Sequence, residues 1–361
     1  MPGAKKRVLI ADDSVFARRI ISDIINASPD LEVIGTVTNG REVLLQVENL
    51  RPDVITLDVE MPKLDGIETL RRLMKEHPTP VVMLSSLTVR GAKESVQALR
   101  LGAVDIMAKP GGSHSLGLSA YSDELIAKIL AAANVDPAVL KPFVQPRARP
   151  TAQLPVLRSS TPPVVIIASS TGGPRAIRAV VPRLTDAAAY LIVQHLPEGF
   201  SGPMAQDIDG VTDCNVREAS DGDGLHSGDV LFAKAGYHCV FDRASSVRLT
   251  RDPPLWGVRP AADITIASAA PVFGSRLIGV VLTGMGRDGA DGMRLIKEAG
   301  GTTIAEHESS CVVYGMPRVA IESGIVDVVA PLQRMADAIN ASVSQVSRTR
   351  HGRKRSSPRA A

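Results

Sequence analysis

No stretch of the 361 residues approaches the roughly 18 apolar residues of a membrane-spanning helix. The N-terminus carries Lys5, Lys6 and Arg7, but only a short apolar run, Val8-Leu9-Ile10, precedes Asp12-Asp13, so no secretory signal is expected there. Cysteine is scarce. Cys214, Cys239 and Cys311 stand far apart, with neither a CxxC pair nor a Cys/His metal spacing, which points to a reducing, cytoplasmic setting. No internal repeat is visible. Acidic residues are missing from Arg348 to Arg359, where six Lys/Arg fall. Removing those six from the formal net charge of +3 leaves −3, a mildly acidic body with a basic tail.

What is present divides into two halves. Residues 7–130 alternate short apolar runs, Val8–Ala11, Glu32–Val37, Val54–Asp58, Val81–Ser85 and Asp105–Ala108, with helically spaced stretches at Phe16–Asn26, Gly40–Glu48, Gly66–Glu76 and Ala92–Leu101. This (βα)5 pattern predicts a parallel, doubly wound sheet with its ligand site at the strands' carboxyl ends. Seven prolines between Pro137 and Pro163 then predict a stiff linker. A second α/β series follows, with strand candidates Val164–Ala168, Leu191–Gln194, Val230–Ala233, Leu277–Thr283 and Thr302–Ala305. The expected organisation is a domain over 1–130, a linker over 131–160, a second domain over 161–345, and a disordered basic tail over 346–361.

The first half gathers chemistry at its strand ends. Asp12-Asp13 follow the first strand, Asp58 ends the third, Ser85 ends the fourth and Lys109-Pro110 follow the fifth. In a parallel sheet these carboxylates converge, and their mutual repulsion calls for a hard cation such as Mg²⁺. Asp58 could then attack a phosphoryl group, with Mg²⁺ and Lys109 stabilising the transferred oxygens and Ser85 bonding the phosphate formed.

In the second half the telling stretch is VVIIASSTGGPRAI, residues 164–177. It lacks the Gly-Lys-Ser/Thr of a Walker loop and the third glycine of GxGxxG, so a phosphate cradle is weakly supported. A strand, turn and helix with a serine at the apex would present a hydroxyl near a helix N-terminus, where amides and dipole favour a developing oxyanion. Spacing leaves open whether Ser169 or Ser170 is that serine, or whether the turn is a plain cap. A base and an orienting acid would be needed. His195 directly follows an apolar strand in LIVQHLPEGFS, and Asp288 and Asp291 share the glycine-rich turn of LTGMGRDGADGM. Spacing does not choose between these two acids, and Asp263 lies in a separate segment.

Motifs supply the choice. VLIADDS, ITLDVEMPKLDGIE, VVMLSS and GAVDIMAKP resemble bacterial response-regulator receiver domains over roughly residues 5–125. That resemblance implies phosphotransfer to Asp58 from a histidine kinase, with Mg²⁺ held by Asp13, Asp12, Asp58 and the Glu60 carbonyl. Receivers usually carry an aromatic switch residue where this chain has Ile106. STGGPRAI, QHLPEGFS, LTGMGRDGADGM and VVYGMPRVAIESGIVDVVAPL resemble the catalytic domain of the chemotaxis protein-glutamate methylesterase family (CheB) over roughly 161–340. The resemblance implies a flavodoxin-like receiver joined to a mostly parallel, doubly wound α/β esterase. In that esterase Ser170 is the nucleophile, His195 the base, Asp288 its partner, and Thr171 with the Met285 amide the oxyanion contacts.

The implied activity is demethylation of glutamate methyl esters on the cytoplasmic part of chemotaxis receptors, by an acyl-enzyme route that needs no metal. Glutamine deamidation by the same route is the implied second activity. The unphosphorylated receiver is expected to act as an inhibitory lid. Departures from the family pattern are Ala168-Ser169 for a usual Gly-Ala, Ala233-Lys234-Ala235 for Ala-Pro-Gly, Ala261 for a serine in RPAADI, and Glu306 for a frequent glutamine. Two rival readings are a phosphorylation-controlled scaffold with a vestigial triad, and a DNA-binding regulator. The second is disfavoured by an α/β output half without a recognition-helix signal.

Overall fold

Alternating apolar runs and capped amphipathic stretches produce two units in the computed structural model, which describes residues 4–86, 88–109, 118–136 and 161–355. The units divide between Val144 and Gln145. Most of the Pro-rich stretch, 137–160, lies outside the described residues, as do 356–361.

The first unit runs β1 (Lys6–Ala11), α1 (Val15–Ala27), β2 (Leu31–Val37), α2 (Gly40–Leu50), β3 (Val54–Asp58), α3 (Gly66–Glu76), β4 (Val81–Ser85), α4 (Val89–Leu101), β5 (Asp105–Ala108) and α5 (Leu118–Ala133). Its five strands are parallel in the order β2-β1-β3-β4-β5. Helices α1 to α4 each start where a short polar side chain can take an orphan amide. Ser14, Asn39, Asp65 and Thr88 accept from the amides of Ala17, Glu42, Glu68 and Gly91. Beside the Asn39 cap, the Glu42 carboxylate reaches back to accept from the amide of the preceding residue, Thr38, at 2.9 Å. The order reverses between β1 and β3, so Asp12-Asp13 and Asp58 end side by side. The β3–α3 turn packs so closely that a Cβ on Gly66 would lie 2.0 Å from the Asp58 carbonyl oxygen. The sequence named no helix after β5; α5 fills that place with Leu125, Ile129 and Ala132 buried, and it carries the unit past the expected boundary at 130.

The second unit runs β6 (Val164–Ser169), α6 (Gly173–Val180), β7 (Ala189–Gln194), α7 (Ser201–Asp209), β8 (Asn215–Glu218), β9 (Asp229–Phe232), β10 (His238–Phe241), β11 (Val247–Thr250), α8 (Ala262–Phe273), β12 (Leu277–Val281), α9 (Ala290–Glu298), β13 (Thr302–Glu306), α10 (Met316–Glu322), β14 (Val328–Ala330) and α11 (Leu332–Arg355). Seven parallel strands stand in the order β14-β13-β12-β6-β7-β9-β8, and β10 pairs antiparallel with β11 in a separate hairpin. Ile166, Leu191, Leu231, Ile266, Phe273 and Met293 belong to the core on one face of the large sheet. The chain departs in opposite directions from the β12–β6 pair, so the turns after these two strands meet at the switch point.

Four strands had no counterpart in the sequence reading: β8, β10, β11 and β14. They are three or four residues long and lie at sheet edges or in the hairpin, too short for an apolar run or an alternation to stand out. The expected tail also differs. Helix α11 is anchored by buried Met335, Ala336, Ile339 and Val343 and continues through Arg355, so residues 346–355 extend a helix instead of beginning a coil. Once a helix is nucleated on a packed face, each further residue adds a hydrogen bond at low cost.

Candidate functional site

In the first unit the strand-end acids converge. One oxygen each from Asp12, Asp13 and Asp58 lie within 4.8 Å of one another. Lys109 Nζ stands 2.6 Å from Asp58 Oδ2 and 2.9 Å from Asp12 Oδ2. Burial pushes the Asp58 carboxyl up to about 6, with the neighbouring Asp12 charge adding and the Lys109 contact opposing. Burial also opposes the Lys109 charge, but its bonds to Asp58 and Asp12 outweigh that and hold the ammonium above its ordinary value. Asp13 and Glu60 line a neighbouring cleft of about 340 Å³ with Arg90 and Glu94. The Ser85 hydroxyl is turned elsewhere, donating to the Gly91 carbonyl at 3.1 Å. Ile106 is fully buried on β5.

The second unit builds its site from three strand ends. Parallel pairing places Ser169 opposite Gln194, so Ser170 and His195 are the next residues of adjacent strands, and the His195 amide continues the ladder to the Ser169 carbonyl at 3.1 Å. Neighbouring side chains along a strand point to opposite faces. Ser169 therefore turns inward, where its hydroxyl donates to Gln194 Oε1 at 2.6 Å. Ser170 is half-buried and faces the strand ends, and no hydrogen bond joins its hydroxyl to His195 among the described residues. Such bonds often tighten only once substrate is bound. Gln194 completes the support, donating to the carbonyls of Ser170 and His195 at 3.0 and 2.9 Å.

His195 Nε2 stands 2.8 Å from Asp288 Oδ2. Asp288 is buried, and the first turn of α8 grips both its oxygens: the Ala262 amide donates to Oδ2 at 2.6 Å and the Asp263 amide to Oδ1 at 3.0 Å. Burial pushes this carboxyl up, but the His195 bond and the two amides outweigh it, holding Asp288 below its ordinary value and ionised. The rival acid, Asp291, is surface-exposed and pairs with Arg287 at 3.3 Å. The turn after β12 presses against the serine, since a Cβ on Gly284 would meet Ser170 Cβ at 2.8 Å. Gly284 is itself tied on both sides, its amide to the Val313 carbonyl and its carbonyl to the Met316 amide at 2.8 Å. The next amide, that of Met285, donates to nothing among the described residues. Thr171 is buried, and its carbonyl accepts from Thr283 Oγ1 at 3.0 Å.

A model of the CheB methylesterase family matches residues 165–339, and one of the response regulator receiver domain matches residues 8–120. A protein-glutamate methylesterase/protein-glutamine glutaminase of Symbiobacterium thermophilum is 47% identical over 353 residues, covering 94% of this chain and 97% of that protein. The chain belongs to the CheB methylesterase family. A relative of the same name from Pyrococcus abyssi is 41% identical over 96% of this chain and 96% of its own length. The crystal structure of the Thermotoga maritima CheB methylesterase catalytic domain is 36% identical, covering 51% of this chain and 98% of that one with a TM-score of 0.48.

Several departures from the usual CheB pattern acquire a physical account. Ser169 is a buried donor to Gln194. Glu306 is fully buried, accepting from the Thr283 amide at 2.8 Å and the Ser310 hydroxyl at 2.9 Å, while burial pushes its carboxyl upward. Ala261 leaves the start of α8 without a side-chain cap; its amide donates instead to the buried His238 ring at 3.2 Å. Sequence reasoning had passed over Gln194, Thr283 and the α8 amides as supports of the site. The signal for Gln194 was a polar residue closing an apolar strand immediately before the histidine, but amide donors carry no sequence signal of their own.

The two serines are separable by experiment. Ser169→Ala leaves the Gln194 oxygen without its partner, so about 1–3 kcal/mol of stability is expected to be lost. Hydrolysis per folded molecule should stay within about threefold of wild type, because Gln194 still donates to the Ser170 carbonyl. Chemical denaturation paired with an ester assay checks both.

Proposed function

We propose that this protein is a phosphorylation-activated serine hydrolase that demethylates glutamate methyl esters on chemotaxis receptors. The observation that carries the proposal is the alignment of half-buried Ser170, His195 and ionised Asp288 at the switch point of one parallel sheet, with 2.8 Å between the imidazole and the carboxylate. With Nε2–H donating to Asp288, His195 keeps Nδ1 as the acceptor for the serine proton. Ser170 Oγ attacks the γ-carbonyl carbon, the C=O pair moves to oxygen, and the Met285 amide with Thr171 receives the oxyanion. Collapse breaks the bond to the methoxy oxygen, which takes the proton from His195 and leaves as methanol. Water then attacks the acyl-enzyme through the same base and releases the glutamate. Ammonia leaves in place of methanol when the substrate is glutamine, which accords with the double name of the relatives.

In the receiver domain Asp58 is the proposed phosphoacceptor, served by a histidine kinase. Asp12, Asp13, Asp58 and the Glu60 carbonyl would hold Mg²⁺, whose charge offsets that of the carboxylates and of the incoming phosphoryl oxygens. Lys109, already paired with Asp58, is placed to follow the oxygens onto the phosphorylated side chain. Ser85 would have to leave the Gly91 carbonyl to bond the phosphate. No described helix is long and apolar enough to cross a membrane, and the receptor enters as substrate.

Methanol released from a methylated receptor fragment, with and without a phosphoryl donor, tests this function. Release that rises with the donor is expected; none under either condition, with Asp58 demonstrably phosphorylated, would return the scaffold reading. Removing residues 1–140 is expected to raise basal release several-fold if the receiver inhibits. Unchanged or lower activity of that folded fragment would sink the inhibitory role.

A further inference from the structure

The chain's single tryptophan, Trp256, sits at the tip of a tight turn closed by Leu255 and Val258, whose amides and carbonyls pair at 3.0 and 3.2 Å. Trp256 and Gly257 both have positive φ, 56° and 78°, and a bulky residue in that region is costly unless something holds it. Two contacts hold it here. The Arg287 guanidinium lies 4.6 Å from the ring centroid, and Nε1 donates to Asp263 Oδ2 at 2.9 Å. Asp263 Oδ1 meanwhile accepts from the Gly292 amide, in the first turn of α9, at 2.7 Å. Its own amide, as described above, donates to Asp288 Oδ1.

We propose that Asp263 is a positioning residue of the esterase: its carboxylate clamps the Trp256 turn and the start of α9 to the first turn of α8, and so orients the two amides that hold Asp288. The inference rests on the triad assignment above. Without the clamp nothing else on the Asp263 side chain ties these segments together, and both oxygens of Asp288 depend on the turn being in place. The ends of α8 and α9 are otherwise weakly capped, with Ala261 and Gly289 at the cap positions making no side-chain bond. The geometry also makes Trp256 a reporter of the clamp, since its indole N–H ends on the same carboxylate.

Burial raises Asp263 to about 6, with the Asp288 and Asp291 charges adding and the Gly292 and Trp256 bonds opposing. Arg287 over the indole, His195 across Asp288 and His238 beneath the Ala261 amide are further charged or titratable groups around it. Above that pH the carboxylate accepts both donors. As pH falls through it, a proton occupies one acceptor position and the Trp256 bond weakens.

The test uses the full chain. Asp263→Asn keeps shape but can accept only one of the two N–H donors, turning its own NH₂ toward the other. Its kcat is expected to fall about tenfold with KM within about twofold, because orientation of the triad is lost and substrate contacts are not. Wild-type tryptophan fluorescence should titrate with a midpoint near 6, and that transition should vanish in Asp263→Asn. Trp256→Phe, which keeps a ring under Arg287 but lacks the N–H, should lower kcat in the same direction, and the double variant should be no slower than Asp263→Asn. A folded Asp263→Asn with wild-type kcat, or one that retains the fluorescence transition, overturns the proposal. Should Asp263→Asn fail to fold, an unchanged kcat in Trp256→Phe overturns it instead. Activity surviving in Ser170→Ala would overturn the triad assignment itself, which keeps the two failures distinct.

Discussion

Ser170→Ala is expected to slow methanol release by on the order of 10⁴-fold or more, by analogy with other serine triads. The substitution removes one oxygen from a half-buried side chain that makes no hydrogen bond among the described residues, so folding should be nearly untouched. The loss is therefore a chemical one: without Oγ there is no acyl-enzyme, and the remaining groups can only polarise the carbonyl for direct attack by water. His195→Ala should fall to a similar level without adding to it, because nucleophile and base act as one unit. Rates with a receptor fragment, in wild type and both variants, measure this, and thermal melting confirms that each variant is folded. A Ser170→Ala rate within tenfold of wild type would remove the serine from the mechanism and leave Ser169 as the first alternative to examine.

Asp58→Asn is expected to abolish stable phosphoryl incorporation and, with it, the rise in esterase rate on adding a phosphoryl donor. An amide cannot form the acyl phosphate. It also removes one of three negative charges from the acid cluster, so Lys109 loses a partner at 2.6 Å but keeps Asp12 at 2.9 Å. Basal hydrolysis should persist, because the proposed triad residues all lie in the other unit. Chelating divalent cations should likewise stop incorporation in the wild type and leave hydrolysis in place, and restoring Mg²⁺ should reverse the effect. Labelled-phosphate incorporation and methanol release, followed in the same samples, read both halves. Incorporation that survives in Asp58→Asn would place the phosphoacceptor elsewhere.

Much of the architecture was legible because buried, mostly apolar strands announce themselves. Val54–Asp58, Val81–Ser85 and Asp105–Ala108 coincide with their apolar runs, and the Pro-rich interval separates two α/β series. The hairpin of β10 and β11 was not legible, since four-residue strands of mixed polarity have no period to read. It nonetheless shapes the esterase face: its first residue, His238, receives the Ala261 amide, and its last leads into the segment that carries Trp256.

By itself the sequence determined the alternation of elements, the acids and lysine at the ends of particular strands, and the motifs that ally the chain with CheB. These are local properties, set by which side chains are apolar and which residues follow them. Spacing alone left neighbours open, and the tertiary structure shows where each of them points. Ser169 and Ser170 are adjacent in the chain, but the alternation of a strand turns one toward Gln194 and the other toward the strand ends. Asp288 and Asp291 share one glycine-rich turn, but only Asp288 meets both His195 and the amides of α8. Asp263, twenty-five residues away from Asp288, joins them through a backbone amide. Those orientations depend on strand register and on where a distant helix begins, and both arise only when the chain packs.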